Sequence, residues 1–210
     1  MTRLILVRHG QTEWNRAERF RGHADVPLNT AGLAQAEATA RRIQGVWPVS
    51  AVYCSPLSRA ARTAQAIAHP LELTEAPVQD LIDIDYGEWQ GKTPEEVGSL
   101  WPDLLSAWYE RPHTVHIPGG ESLGEIRVRC RRAVGQVAER HPQECVVVVA
   151  HTVINRVILL EVLGLANDRF WRLRQDNCAI NEIEMEGDTF TLVSMNDTCH
   201  LQVSGEQASS

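Results

Sequence analysis

The chain has 210 residues, 43% hydrophobic and 22% charged, with 27 acidic against 20 basic side chains and a net charge of −7. One compact domain can bury a full core at this length, and no apolar run is long enough to span a bilayer as a helix. The acidic balance argues against a nucleic-acid or anionic-membrane surface, so any anion site must be a local basic cluster. The five cysteines, Cys54, Cys130, Cys145, Cys178 and Cys199, are odd in number and contain no Cys-x-x-Cys pair. Reduced thiols are expected, rather than a disulfide frame or a zinc site.

Met1-Thr2-Arg3 runs straight into Leu4 to Val7 and then Arg8, too short an apolar run for an export signal, so a cytoplasmic location is expected. Leu4 to Val7 reads as a buried strand, and Asn29-Thr30 opens an Ala-rich helix from Ala31 to Ile43. A second strand, Ala51 to Cys54, leads to Ser55-Pro56, a pattern of N-cap followed by proline at the first helical position. Thr93-Pro94-Glu95-Glu96 and Ser122-Leu123-Gly124-Glu125 each carry a capping box, opening helices to about Ser99 and about Arg140. Cys145 to Ala150, with four consecutive valines, is a third buried strand, and a helix follows from His151 to about Leu163, stopped by Gly164. Ile180 to Glu184 and Phe190 to Met195 alternate around Gly187-Asp188 as a hairpin. Strands interleaved with helices predict an α/β sheet with an antiparallel edge, in a single domain over residues 1–204 followed by a polar tail, 205–210.

In open α/β sheets, ligands bind beyond the carboxyl ends of the strands. The first predicted strand delivers Arg8, His9 and Gly10 there, the second Ser55 and then Arg59, and the valine strand His151. Two arginines and two histidines, together with the N–H groups of helix starts, suit a phosphoryl dianion. An imidazole attacks phosphorus only when neutral, and the charge on the phosphoryl oxygens must be met by fixed donors; neighbouring arginines serve both needs. An isolated Arg-His pair would more simply be a surface ion pair, but here several segments converge. No His-x-His or His-Glu-x-x-His spacing points to a metal at the strand ends. His69, His113, His116 and His141 read as ordinary residues, and Trp101 and Trp108, seven apart, as lid packing on one helical face. Arg127, Arg129, Arg131 and Arg132 read as a solvated face of the long helix.

Leu6-Val7-Arg8-His9-Gly10-Gln11-Thr12-Glu13-Trp14-Asn15 resembles the signature of the histidine phosphatase superfamily, which includes the cofactor-dependent phosphoglycerate mutases. The likeness continues through Arg21 to Asn29, Ser55 to Ala60, Tyr86 to Gly91 and Ala150-His151-Thr152. It implies a phosphoglycerate mutase-like, three-layer α/β/α fold with a mainly parallel mixed sheet, and a metal-free, cofactor-free reaction in which His9 becomes phosphorylated. By the same resemblance Arg8, Asn15, Arg59, His151 and Thr152 hold the phosphoryl group, and Asp83 serves as general acid. Relatives more often carry glutamate there, so the carboxyl would start about 1.5 Å further back, and Asp85 acting through water is an alternative. Gln11, Gly22, His23 and Asp85 fall on the substrate side.

The connection that would form a lid, about 90–118, is shorter than the corresponding insertion of the mutases, which favours hydrolysis over sheltered transfer. Ile82 to Gly87, Gly119 to Leu123, His151-Thr152-Val153, Phe170-Trp171, Asp176-Asn177 and Asn196 to Leu201 are similar to the metal-independent phosphoserine phosphatases. That likeness makes Cys199 and His200 candidates for contacting the amino-acid end, and it implies a homodimer. α-Ribazole and sugar-phosphate phosphatases share the core, and an aromatic outer pocket would favour a nucleoside-like ester. The expected partner is thus a small phosphate ester, not nucleic acid or membrane; a phospholigand-binding module without turnover is the rival of another class.

Overall fold

Runs of aliphatic and β-branched residues set the frame. In a computed structural model, which describes residues 1–187 and 189–201, they form one six-stranded sheet in the order β3-β2-β4-β1-β5-β6. The strands are β1 (Thr2–Arg8), β2 (Val49–Cys54), β3 (Glu75–Pro77), β4 (Cys145–Ala150), β5 (Ile180–Glu186) and β6 (Thr189–Asp197). The first four run parallel, β5 is antiparallel to β1, and β6 is antiparallel to β5. Every residue of β4 is buried, as a strand covered on both faces requires. Side chains alternate between two cores. Leu4, Leu6, Val146 and Val148 face a layer containing α6 (Leu123–Arg140) and α7 (Thr152–Val162). Ile5, Val7, Val147 and Val149 face the opposite layer, built from α2 (Thr30–Val46) and α3 (Ser58–Ala68). The architecture is three-layer α/β/α with a mixed, mainly parallel sheet.

The capping signals act where expected: Asn29, Thr93 and Ser122 each accept a hydrogen bond from the first turn of α2, α4 (Pro94–Leu100) and α6. Two readings change, and two short elements are added. Ser55-Pro56 does not start a helix; α3 begins at Ser58 behind Leu57, and Ser55 is left free to face the strand ends. The short edge strand β3, ending in Pro77, and the one-turn helix α1 (Glu13–Arg16) had no clear periodic signal. Trp101 and Trp108 do not share a helix: Trp101 separates α4 from α5 (Pro102–Glu110), while Trp108 is wholly buried against Tyr86, Trp89, Phe170 and Trp171. Trp171 Nε1 donates to Trp108 O at 2.6 Å, pinning the 90–118 segment to the body.

Cys54, Cys130, Cys145 and Cys178 are buried and Cys199 is exposed, all unbridged. No described helix is long and apolar enough to cross a membrane. The expected tail, 205–210, and Asp188 of the hairpin turn lie outside the described residues.

Candidate active site

β1 and β4 are neighbours in register, Arg8 opposite Ala150, so the residues that follow them are delivered side by side. His9 N donates to Ala150 O at 3.0 Å, Ser55 N donates to Val149 O at 3.0 Å, and the His9 and His151 ring centroids lie 5.1 Å apart. Beyond His9 the chain crosses the start of α2 backbone against backbone: a Cβ on Gly32 would come within 2.1 Å of Gln11 O. Only glycine permits that approach, which lets the loop turn back over the strand ends.

Hydrogen bonds decide which nitrogen each histidine offers. His9 Nδ1 lies 2.6 Å from Gly10 O, which can only accept, so the neutral ring carries its proton on Nδ1 and leaves Nε2 as a lone pair. That Nε2 is buried with no partner among the described residues. His151 is the mirror case. Its Nε2 lies 2.7 Å from Ser55 Oγ, whose hydroxyl can donate to it, and its Nδ1 faces the Asp83 carboxyl, so a ring proton on Nδ1 suits both neighbours. His151 Nδ1 is 3.6 Å from Asp83 Oδ2. Burial holds both imidazoles well below the ordinary histidine value; His151 and Arg59 add to this at His9, and Arg59 and Arg21 at His151. Both rings are therefore neutral at physiological pH.

Cations surround them. Arg59, wholly buried, donates to Ala24 O and Gly22 O at 2.8 Å and to Asp83 Oδ2 at 3.1 Å, while its Nε has no partner among the described residues. Arg8 donates to Gln175 O at 2.6 Å, and its Nε is likewise unpartnered. Burial and the nearby Arg21 pull the Arg8 guanidinium down to about 9. Thr152 Oγ1 is another buried orphan, and Asn15, whose Oδ1 is engaged by Thr12, keeps its Nδ2 for a ligand. Arg8, Asn15, Asp83 and Thr152 line one cleft of about 410 Å³, with Arg21, Tyr86, Arg156, Phe170 and Trp171 among its other walls. Hollows of similar size between α6 and α7 and between α2 and α3 contain none of the strand-end residues. No group of three or more His, Cys, Asp or Glu among the described residues is arranged to hold a metal ion.

Of the substrate-side candidates, Gly22 supplies a carbonyl to Arg59, and His23 Nε2 donates to Asp83 O at 2.9 Å. Asp85 accepts from Gly87 N and lies 3.9 Å from His23, outside the residues that line the cleft, whereas Asp83 is among them. Gln11 is tied to Asn29 and Gln35 away from the cleft. Cys199 is exposed, and His200 Nε2 meets Thr39 Oγ1 at 3.0 Å on α2; neither lines the cleft.

The solvated-face reading of α6 is corrected at Arg129. This residue is buried, donates to Asp80 O, Ile82 O and Asp83 O, and forms a two-pronged pair with Glu121 at 3.0 Å. It clamps the loop that carries Asp83. Its spacing from Ile126 and Ala133 on the buried stripe was the available signal. Arg21 and Arg156 were also missed as cleft residues, although Arg156 follows Thr152 by one helical turn.

The family model of the histidine phosphatase superfamily (branch 1) matches residues 4–198. This chain belongs to that superfamily. Phosphoserine phosphatase 1 of Hydrogenobacter thermophilus is 37% identical over 201 residues, covering 96% of this chain and 95% of that one. Among solved structures, Bacillus stearothermophilus YhfR superposes with a TM-score of 0.92 at 28% identity, covering 96% of this chain and all of that one. A phosphoserine phosphatase from Entamoeba histolytica, in complex with 3-phosphoglyceric acid, gives a TM-score of 0.84 at 28% identity, with 96% of this chain and all of that one covered. This histidine phosphatase is thus an enzyme of the phosphatase class.

Proposed function

We propose that this histidine phosphatase hydrolyses small phosphomonoesters without a metal ion, through a phosphohistidine on His9, and that phosphoserine is its substrate. The observation that carries the chemistry is the buried lone pair of His9 Nε2, set among donors that have no protein partner among the described residues. Nε2 attacks phosphorus as the P–O bond to the alcohol breaks. The Nε groups of Arg8 and Arg59, the Nδ1–H of His151, Asn15 and Thr152 hold the phosphoryl oxygens. Asp83, the acid that lines the cleft beside His151, protonates the leaving alkoxide and then takes a proton from the water that cleaves the phosphohistidine. The guanidinium groups supply the positive charge that a metal would otherwise provide.

The serine rests on the Hydrogenobacter relative, at 37% identity over nearly the whole of both chains. A second reading, a flat heterocyclic alcohol as in α-ribazole phosphate, draws on the aromatic mouth, where Tyr109 and Trp171 lie 5.2 Å apart and partly exposed. With p-nitrophenyl phosphate and a chelator present, His9→Ala is expected to lose at least about a thousandfold in rate. Wild-type enzyme quenched in mid-turnover should carry an acid-labile phosphoryl label; an undiminished rate in the variant would rule the mechanism out. A panel of phosphoserine, α-ribazole phosphate, a sugar phosphate and 3-phosphoglycerate, ranked by kcat/KM, decides the ester.

A further inference from the structure

The cleft holds more positive charge than a phosphoryl group requires. Arg8, Arg21 and Arg156 line it and Arg59 lies beneath it, while its acids among the described residues are Asp83 and the exposed rim residue Glu18. Arg19, also at the rim, is paired with Glu96. With Asp83 holding the proton it gives as general acid, a phosphoryl dianion brings two negative charges to four guanidinium groups. Arg21 and Arg156 make no ion pair among the described residues, and both disfavour the charged form of Arg8. One further anion is called for.

Arg156 is built to receive it. Its guanidinium lies over the rings of Phe170 and Trp171, 5.0 and 4.8 Å from their centroids, and its Nε donates to Leu173 O at 2.7 Å. The plane is thereby fixed, while the two terminal nitrogens donate to nothing among the described residues, an arrangement that matches a carboxylate. Arg21 adds a second guanidinium from the loop before Gly22: its Nη1 donates to Trp14 O and Arg19 O at 3.5 and 3.3 Å, while its Nε is buried and unpartnered among the described residues. Thr152, in the proposed phosphate pocket, and Arg156 are four apart on α7, so their Cβ atoms are about 5–6 Å from one another. Both side chains line the same cleft, so one ligand can meet both.

We propose that Arg21 and Arg156 form a second anion subsite that selects phosphorylated short-chain carboxylic acids over the corresponding phosphate esters that lack the carboxylate. The proposal rests on the phosphatase reading of the same cleft and deepens it. The test uses two matched pairs, phosphoserine with O-phosphoethanolamine and 3-phosphoglycerate with glycerol 3-phosphate. Each member of a pair keeps the phosphate, and one lacks the carboxylate. Wild-type enzyme should favour the acid of at least one pair by about tenfold or more in kcat/KM, because a site built for a charged group is left unpaired by the analogue. Arg156→Gln and Arg21→Gln should each shrink that preference by about tenfold, and Arg156→Lys should restore part of it.

A lesion in folding or in phosphate binding lowers both members together and leaves the ratio alone. An unmoved ratio in both glutamine variants therefore overturns the subsite, as does a wild-type enzyme without preference in either pair. If 3-phosphoglycerate is strongly preferred to its partner while phosphoserine is not hydrolysed, the serine assignment fails and the subsite stands. If phosphoserine is the best ester yet the ratios stay fixed, the subsite fails and the serine assignment stands.

Discussion

Asp83 carries its carboxyl one methylene closer to the backbone than the glutamate more often found there in relatives, yet it reaches the site. Arg59 holds its Oδ2 at 3.1 Å, and Ile84 N donates to its Oδ1 at 3.0 Å, so the short side chain is fixed from both sides. Under the proposed mechanism, Asp83→Asn should lower kcat/KM for an alkyl phosphate by about a hundredfold or more. The loss for p-nitrophenyl phosphate should be far smaller, since that leaving group hardly needs a proton. Equal losses for the two esters would remove Asp83 from the role. Arg8, His9, Arg59 and His151 were legible at this scale because each follows a recognisable strand and chemistry restricts what such residues can do together. Ser55 was legible as a residue of the rim but not for its contact: proline after serine suggested a helix cap, whereas its hydroxyl meets His151 Nε2 at 2.7 Å. A cap and a hydrogen-bond partner across 96 positions leave the same local pattern.

Between residues and fold stands the loop from Asp80 to Gly87, which is held by another element. Arg129 of α6 takes three of its carbonyls, Glu121 accepts from Asp85 N, and Glu88 N donates to Pro118 O. Gly87, at φ +42°, lies so close to this partner segment that a Cβ would come within 2.2 Å of Pro118 O. Arg129 is accordingly a positioning residue. Arg129→Met should destabilise the protein by about 3–5 kcal/mol, since it leaves Glu121 and the loop carbonyls without their donor. In the fraction that folds, alkyl phosphate hydrolysis should suffer more than p-nitrophenyl phosphate hydrolysis, which a purely structural loss would not produce. Denaturation curves and the two rates, compared at equal folded concentration, check both halves. Helices α2, α4, α6 and α7 were readable from caps and periodicity. The 90–118 segment was not, because Trp101 interrupts one helical pattern in the middle and starts another.

Over the whole molecule, the two buried imidazoles tie stability to pH. Folding holds His9 and His151 neutral below the pH at which they would charge in the unfolded chain, about 6.5. The unfolded chain therefore binds more protons there. The stability of the folded state is fully present above about pH 6.5 and falls as pH drops below it, by up to about 1.4 kcal/mol per pH unit for each histidine. Thermal unfolding should show a lower Tm at pH 5.5 than at pH 7.5, and His151→Gln should flatten that dependence. An equally steep profile in the variant would assign it to other groups.

The sheet order also has a consequence for how the site comes into being. β1 is the first strand of the chain, yet its two neighbours are β4 and β5, the latter about 180 residues further along. Two sequence-distant partners, parallel on one side and antiparallel on the other, give a large loop-closure cost and a slow route to the native sheet. The strand that presents His9 precedes both neighbours in the sequence, so neither edge has its native partner until β4 and β5 are made. His9 and Arg8 are held partly by Cys178, whose N–H donates to Arg8 O at 3.0 Å. His9 is thus made before the strands that frame it, so a chain that ends before β5 has His9 without the full frame that holds it.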